Sequence, residues 1–123
     1  MENITEKIIG CAIKVHQELG PGLLESTYEK CFVHELLAEG LFVEVQKELP
    51  VFYRGVNLEC GYRIDILVNR EVVVELKSVD AILPIHQAQI LSYLKLSGCK
   101  IGLLINFNVT MLKQGIRRLV NNF

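Results

Sequence analysis

The stretch Arg63-Ile64-Asp65-Ile66-Leu67-Val68-Asn69-Arg70-Glu71-Val72-Val73-Val74-Glu75-Leu76-Lys77 decides the fold. From Leu58 to Val68, apolar residues alternate with mostly polar ones, and this period of two predicts a strand with one dry face. Asn69-Arg70 predicts a tight turn into the next strand. Residues 72–77 begin apolar on both faces, which predicts a central position in the sheet. The stretch therefore predicts a β-hairpin inside a sheet.

This hairpin brings three charged side chains together. Glu75 and Lys77 are two residues apart on one strand, so they point to the same face. The tight turn places Asp65 across from about Glu75, where opposed Cβ atoms are about 4.5–5.5 Å apart. Two carboxylates at that separation repel unless a divalent cation lies between them. Hard cations such as Mg²⁺ take oxygen ligands of this kind, so the hairpin predicts a site for Mg²⁺ or Mn²⁺.

A simpler interpretation fits the same spacing. Glu75 and Lys77 can form an ordinary surface ion pair, and Asp65 can be the polar half of an alternating strand. Spacing alone supports the two interpretations about equally, because short motifs match by chance.

The rest of the chain surrounds the hairpin with helices. Helical spacing predicts a first helix up to Leu19, which Gly20-Pro21-Gly22 ends, and a second from about Leu24 to Glu39. Val43 to Tyr53 reads as a strand interrupted by Pro50, followed by a turn at residues 54–57. Downstream come a helix from Pro84 to about Ser97-Gly98, a strand at residues 101–105 and a final helix over Leu112, Ile116, Leu119, Val120 and Phe123. The order α-α-β-β-β-α-β-α predicts an α/β fold with a mixed four-stranded sheet flanked by helices.

Size and composition set further limits. The 123 residues predict one domain over residues 1–123. Thirteen basic and fourteen acidic side chains give a net charge of −1, without the basic footprint that is usual for nucleic-acid binding. A hydrophobic fraction of 50% suggests spare apolar surface, and hence a homodimer or a protein partner. Scattered cysteines, an acidic start and no apolar run of about 20 residues predict a cytoplasmic protein without a membrane span.

The wider pattern resembles a known group of enzymes. D-x₉-E-x-K on a hairpin, followed by a helix bearing Gln89 and Tyr93, resembles the PD-(D/E)XK nuclease superfamily. Gly22-Leu23-Leu24-Glu25-Ser26-Thr27-Tyr28 is similar to the motif that names the GxxExxY protein family, which is placed in that superfamily. The resemblance covers nearly the whole chain and implies a restriction-endonuclease-like three-layer core. One departure is that Ile64, not proline, precedes Asp65.

The resemblance also implies roles for the charged residues. Asp65 and Glu75 would be metal ligands. Lys77 would orient or activate the attacking water and stabilise charge on the phosphorane. Glu25, as a catalytic and metal-site residue, would reach the same metal directly or through water. The alternative for Glu25 is an acid in the first turn of a helix, where it complements the helix dipole.

Further residues are expected around these charges. Gln89 and Tyr93 are four apart and share a helix face. The resemblance places them at the site, with Gln89 positioning the water or a phosphate, and His86 lies one turn earlier. A polar stripe beside the core explains His86 nearly as well. Tyr28 is either a stacking residue that borders the site or a core residue, and its spacing favours the core.

The basic residues Lys113, Arg117 and Arg118 form a cluster on the predicted final helix. Lys113 and Arg117 would share a helix face and bind nucleic-acid phosphates. The alternative, a solvated helix face, is the more common case.

The leading functional hypothesis is a Mg²⁺-dependent nuclease that hydrolyses phosphodiester bonds in DNA, with RNA as another potential substrate. The alternative is a non-catalytic nucleic-acid or protein binding module that keeps the nuclease fold. The intact set of Asp65, Glu75 and Lys77 favours the enzyme, while the near-neutral charge favours the module. A general small-molecule hydrolase has little support, because no Ser-His-Asp pattern is present and histidine is scarce.

Overall fold

The structure is a computed structural model that describes residues 3–121. The helices in this range are α1 (Ile4–Leu19), α2 (Glu25–Ala38) and α3 (Pro84–Ser97), with a short 3₁₀ helix at Leu112–Gly115. The strands are β1 (Val43–Glu48), β2 (Val51–Tyr53), β3 (Val56–Leu58), β4 (Arg63–Val68), β5 (Val72–Lys77), β6 (Ile101–Asn106) and β7 (Ile116–Val120). None of these helices is long and apolar enough to cross a membrane.

Five strands form one mixed sheet in the order β1-β4-β5-β6-β7. β5 pairs antiparallel with β4 and parallel with β6, and the crossover between β5 and β6 runs through α3. Strand β5 is therefore central, as its apolar start predicted. The α/β class and the mixed sheet flanked by helices are confirmed.

Helices cover both faces of this sheet. Buried residues of α1 and α2 pack on the face that carries Val72 and Val74 of β5. Buried residues of α3 pack on the opposite face, which carries Val73. Alternate residues of β5 thus enter two separate apolar clusters, so the polar residues at the end of the strand sit beside a dry core.

The predicted final helix is wrong. The chain makes a 3₁₀ turn at Leu112–Gly115 and continues as β7, which pairs antiparallel with β6. Strand β7 pairs with an edge of β6 whose backbone N–H and C=O groups would otherwise be unpaired. This pairing outweighs the helical spacing of the apolar residues in the sequence. The sheet therefore has five strands where four were expected. Phe123, the predicted end of the helix, lies outside the described residues.

Two long predicted strands, residues 43–53 and residues 58–68, are each divided in the structure. The chain leaves β1 at Leu49-Pro50 and forms a separate small hairpin, β2–β3. Arg54 and Gly55 both have positive φ and make its two-residue turn, so the turn predicted over residues 54–57 is shorter than expected. Residues 59–62 then lead into β4. Proline removes a backbone donor, which explains why β1 ends where it does.

Candidate functional site

Asp65 and Glu75 meet where the β4–β5 ladder ends. The last paired residues are Ile66 and Val74, and Asp65 and Glu75 come one step further along each strand. The Asp65 backbone N–H donates to Glu75 Oε2 at 2.7 Å, and the Leu76 N–H donates to Asp65 Oδ2 at 2.9 Å. Each carboxylate therefore accepts a hydrogen bond from the backbone of the opposite strand.

Strand β4 is irregular at the same point. The β1–β4 ladder pairs Val45 with Ile66 and Lys47 with Ile64, but it omits the pair between them, Gln46 and Asp65. Gln46 has a φ of 51°, which is uncommon for a residue with a side chain. Ile64 packs in the cluster on the α3 side, whereas Ile66 packs in the cluster under α1 and α2. The regular alternation of β4 is thus interrupted at Asp65, as often happens beside functional sites.

Burial and charge act together on these carboxyl groups. Glu75 is only 5% exposed, so it is not half of a surface ion pair. Burial, and then the charge of Asp65, raise its pKa to about 8, against the opposing effects of the Asp65 N–H and Lys77. Burial also raises the pKa of Asp65, while the Leu76 N–H and the charge of Lys77 act to lower it. Lys77 therefore lies close enough to stabilise both carboxylates.

Helix α2 brings two more acidic groups to this edge of the sheet. Glu25 Oε1 accepts a hydrogen bond from the Ser78 N–H at 3.2 Å. Its negative charge contributes to the raised pKa values of Asp65 and Glu75, which places it near both. Glu29, one helical turn later, is bound through its Oε2 by the Gln46 amide at 2.9 Å. Burial is the largest cause of the raised pKa of Glu29, and the charges of Asp65 and Glu25 add to it.

Glu29 and Gln46 were not predicted from the sequence as site residues. Glu29 follows Glu25 by four residues and so shares its helix face, a spacing that was available as a signal. Gln46 Nε2 lies 2.9 Å from Glu29 and 3.4 Å from Asp65 Oδ1, and so links α2 to the hairpin. No local pattern identifies Gln46, because its position depends on the register between β1 and β4.

Tyr28 belongs to the core and not to the site surface. It is fully buried, and its ring stacks on Phe107 with centroids 4.4 Å apart. Its hydroxyl donates to Gly20 O at 2.6 Å and accepts from the Leu23 N–H at 3.1 Å. The side chain cannot stack on a ligand, but it fixes the loop that precedes Glu25. Gly22 in this loop has a φ of 95°, a conformation that glycine adopts without a steric penalty.

Two polar residues hold the chain just after Lys77, and neither was identified from the sequence. The Ser78 hydroxyl donates to Leu23 O at 2.6 Å, which adds to the bond between its N–H and Glu25. The buried side chain of Asn106 accepts from the Val79 N–H at 3.1 Å and donates to Val79 O at 2.9 Å. In the sequence, a polar Asn106 directly after the apolar strand at residues 101–105 could have identified this residue, because buried polar groups are usually hydrogen-bonded.

On α3, Gln89 and Tyr93 lie at the site, whereas His86 lies at the start of the helix. Gln89 Nε2 donates to the Tyr93 hydroxyl at 3.1 Å. Burial and the charge of Glu75 raise the pKa of Tyr93, so this hydroxyl lies near the carboxylates. His86 Nδ1 accepts the Leu83 N–H at 3.0 Å, which satisfies a free donor at the helix start. This contact gives His86 a structural role.

The predicted basic helix face does not exist. Lys113 lies in the 3₁₀ turn, while Arg117 and Arg118 are neighbours on β7 and point to opposite faces of the sheet. Arg117 pairs with Leu104 and Arg118 with Leu103, and these two leucines belong to different core clusters. Arg117 also donates to the carbonyl oxygens of Gln114 and Ile116. The three charges therefore do not form one phosphate-binding surface.

A family model described as the PD-(D/E)XK nuclease superfamily matches residues 2–119. The chain belongs to this superfamily. No curated protein and no solved structure matches it. Membership suggests a nuclease-type function with a nucleic-acid substrate, and PD-(D/E)XK nucleases generally use divalent metals. The narrower assignment to the GxxExxY family stays a prediction.

The superfamily's metal requirement can be compared with the donor set. Within residues 3–121, no group of three or more His, Cys, Asp and Glu side chains is positioned to hold a metal ion. The nearby donors are nevertheless carboxylate oxygens, which suit a hard divalent cation. Asp65 and Glu75 each bind a backbone N–H through one oxygen, and in the described residues Glu75 Oε1 accepts no hydrogen bond. The chemistry of the donors therefore fits the expected metal.

Proposed function

We propose that this protein is a Mg²⁺-dependent nuclease, with Mn²⁺ as a substitute, that hydrolyses phosphodiester bonds in DNA. The observation that carries the proposal is the crossed pair of carboxylates, Asp65 and Glu75, on the central hairpin beside Lys77. RNA is the other potential substrate. Membership of the superfamily supports a nucleic-acid substrate in general. That this substrate is DNA is our proposal.

Asp65 and Glu75 would hold the cation, and Glu25 would reach it directly or through water. When bound, a divalent cation supplies Lewis acidity and positive charge at the phosphate. Lys77 holds the attacking water and stabilises the negative charge that develops as the water oxygen bonds to phosphorus and the leaving oxygen departs. Gln89 positions the water or a phosphate oxygen, with Tyr93 fixing its amide. Positioning of this kind accounts for much of the rate in phosphoryl transfer.

The domain organisation, location and partners of the protein can also be proposed. Residues 1–123 would form one nuclease-like domain in the cytoplasm, where scattered reduced cysteines are usual. The high apolar content still favours a homodimer or a protein partner. The residues Lys113, Arg117 and Arg118 are assigned to solvated surfaces, since they lie on different faces.

A second candidate function is a non-catalytic binding module for nucleic acid or protein. Two observations favour it: the net charge is −1, and Arg117 and Arg118 point away from each other. Neither observation provides the extended basic surface that usually binds a nucleic-acid backbone, so between the two kinds of partner they favour a protein.

A cleavage assay distinguishes the two functions. Purified chain is incubated with single- and double-stranded DNA and RNA, in Mg²⁺, in Mn²⁺ and in a chelator. The nuclease gives metal-dependent cleavage that Lys77→Ala abolishes and that Lys95→Ala, an exposed lysine on α3, retains. Absence of cleavage by wild type on every substrate, together with retained binding, supports the module.

A further inference from the structure

A cavity of about 430 Å³ lies between the β2–β3 hairpin and the start of β4. Ligand-binding clefts commonly have volumes of roughly 300–1,000 Å³. Its lining includes Glu48, Pro50, Asn57, Glu59, Tyr62 and Arg63. None of these residues has a part in the proposed reaction, so the cavity is an additional feature of the molecule.

The cavity adjoins the candidate active site. Arg63 begins β4 two residues before Asp65, and Tyr62 precedes it. The Tyr62 ring lies 6.1 Å from the Tyr93 ring, tilted by 59°, and the Tyr93 hydroxyl accepts the hydrogen bond from Gln89. Tyr62 therefore connects the cavity to Tyr93 and Gln89, the two residues of α3 at the candidate site.

The lining suits a planar base better than a phosphate. Tyr62 is 47% exposed, so its ring is accessible for stacking. The carboxylates of Glu48 and Glu59 repel a phosphate but accept hydrogen bonds from exocyclic amino groups, and Asn57 can both donate and accept. Arg63, which pairs with Glu48 at 3.5 Å, keeps part of this charge balanced. Adenine, cytosine and guanine carry such amino groups, whereas thymine and uracil do not.

We propose that this cavity is a nucleobase subsite, which stacks one unpaired, amino-bearing base on Tyr62 next to the phosphate that is cleaved. The subsite rests on the proposed function for the position of that phosphate, but binding of the base does not depend on the reaction. Because a stacked duplex hides its bases, the subsite selects single-stranded or locally opened nucleic acid.

A nucleotide titration of the metal-free chain, followed by NMR, tests the subsite without any cleavage. We expect dCMP to shift the resonances of residues 57–63 and to bind at least about fivefold more tightly than dTMP or deoxyribose 5-phosphate. Tyr62→Leu should weaken dCMP binding roughly 5- to 100-fold, the range that loss of base stacking produces. Tyr53→Leu is the matched control, since Tyr53 is an exposed tyrosine of the β2–β3 hairpin that does not line the cavity, and it should leave binding unchanged.

Two further variants test the aromatic ring and the base preference separately. Tyr62→Phe retains the ring and should bind dCMP like wild type. Glu59→Gln alters an exposed side chain of the cavity, and it should reduce the preference for dCMP over dTMP. Equal affinity for dCMP and deoxyribose 5-phosphate, or unchanged dCMP affinity in Tyr62→Leu, would overturn the subsite.

Cleavage by the same variants separates this proposal from the proposed function. On single-stranded DNA, Tyr62→Leu should raise KM with little change in kcat, and an abasic position beside the cleaved phosphate should do the same to wild type. If wild type cleaves but neither change affects KM, the subsite is wrong and the nuclease stands. If wild type never cleaves, the nuclease fails, and the nucleotide titration still decides the subsite.

Discussion

Asp65 and Glu75 hold each other in place through crossed hydrogen bonds from side chain to backbone. The Asp65 N–H binds Glu75 Oε2, and Asp65 Oδ2 binds the N–H of Leu76, the residue that follows Glu75. Amide donors stabilise a buried negative charge, which partly offsets the cost of placing two carboxylates beside an apolar core. Because each side chain also satisfies a backbone N–H of the other strand, a change in one residue should affect the other.

Metal binding is expected to require both of these residues. Asp65→Ala removes one oxygen ligand and releases the Leu76 N–H, so it should lower the affinity for Mn²⁺ by at least about tenfold, the loss typical of altering the environment of a metal ligand. Titration calorimetry of the purified variants measures this change. Glu48→Gln, an exposed carboxylate paired with Arg63, is the control and should bind like wild type. Equal Mn²⁺ affinity in wild type and Asp65→Ala would show that the two carboxylates do not share a metal.

The stability of the metal-free chain should fall as the pH rises through neutrality. The pKa of Glu75 is raised from 4.5 to about 8 in the folded chain, so the folded state favours the protonated form. This preference contributes its full stability below about pH 4.5, and the contribution is lost as the pH rises to about 8. Glu75→Gln mimics the protonated form and should remove most of the decline, on the order of 1–3 kcal/mol. Urea unfolding at pH 5 and pH 8.5 in a chelator measures the difference. Identical pH profiles for wild type and variant would contradict the assignment.

Asn106→Ala should loosen the chain just after Lys77. The Asn106 amide satisfies both the N–H and the carbonyl of Val79, and its loss leaves these groups without that partner in a partly buried position. We expect the free energy of unfolding to fall by about 1–3 kcal/mol. Cleavage by the folded fraction should also slow, since Lys77 lies two residues before Val79. A small displacement of the Lys77 side chain from its catalytic position lowers the reaction rate. Ser92→Ala, whose hydroxyl binds its own helix at Ala88, is the matched control. A stability loss without any change in kcat would assign Asn106 to the fold alone.

The central hairpin and its charged residues were predictable because their signals are local. The alternation of apolar residues before Asn69, the turn at Asn69-Arg70 and the apolar run at Val72–Val74 lie within one short stretch. These features place Asp65 opposite Glu75 without knowledge of the rest of the chain. The burial of β5 on both faces likewise follows from its composition. The break in the alternation at Asp65 was not predictable, because it depends on the pairing of β4 with β1.

Features that depend on distant parts of the chain were not predictable. Ile116, Leu119 and Val120 satisfy both a helical and a strand pattern, and the choice of strand depends on the open edge of β6. Gln46 reaches Asp65 only through the register of β1 against β4. The spacing of Tyr28 favoured the core, but its stacking partner Phe107 lies 79 residues further along the chain and could not be identified from the sequence.

Lys77→Ala is expected to fold, to keep its metal affinity and to lose cleavage. A lysine is a poor ligand for a cation, so its removal should not weaken Mn²⁺ binding. Its expected role is to stabilise the attacking water and the charged phosphorane, and groups that act in this way are typically worth about 10²–10³ in rate. Single-turnover cleavage at saturating metal measures this effect on the chemical step. Calorimetry on the same sample checks that the metal site persists.

The alternative for Lys77 is a purely electrostatic role towards Asp65 and Glu75, whose pKa values its charge lowers. That role predicts a modest stability change and no direct effect on chemistry. Lys47→Ala removes another partly exposed lysine, which pairs with Glu44, and it is the control for the loss of one positive charge. Cleavage at the wild-type rate by Lys77→Ala would show that the assigned mechanism is wrong. Retained Mn²⁺ affinity with a rate loss of at least about 10², absent in Lys47→Ala, would identify Lys77 as the residue that acts on the reacting phosphate.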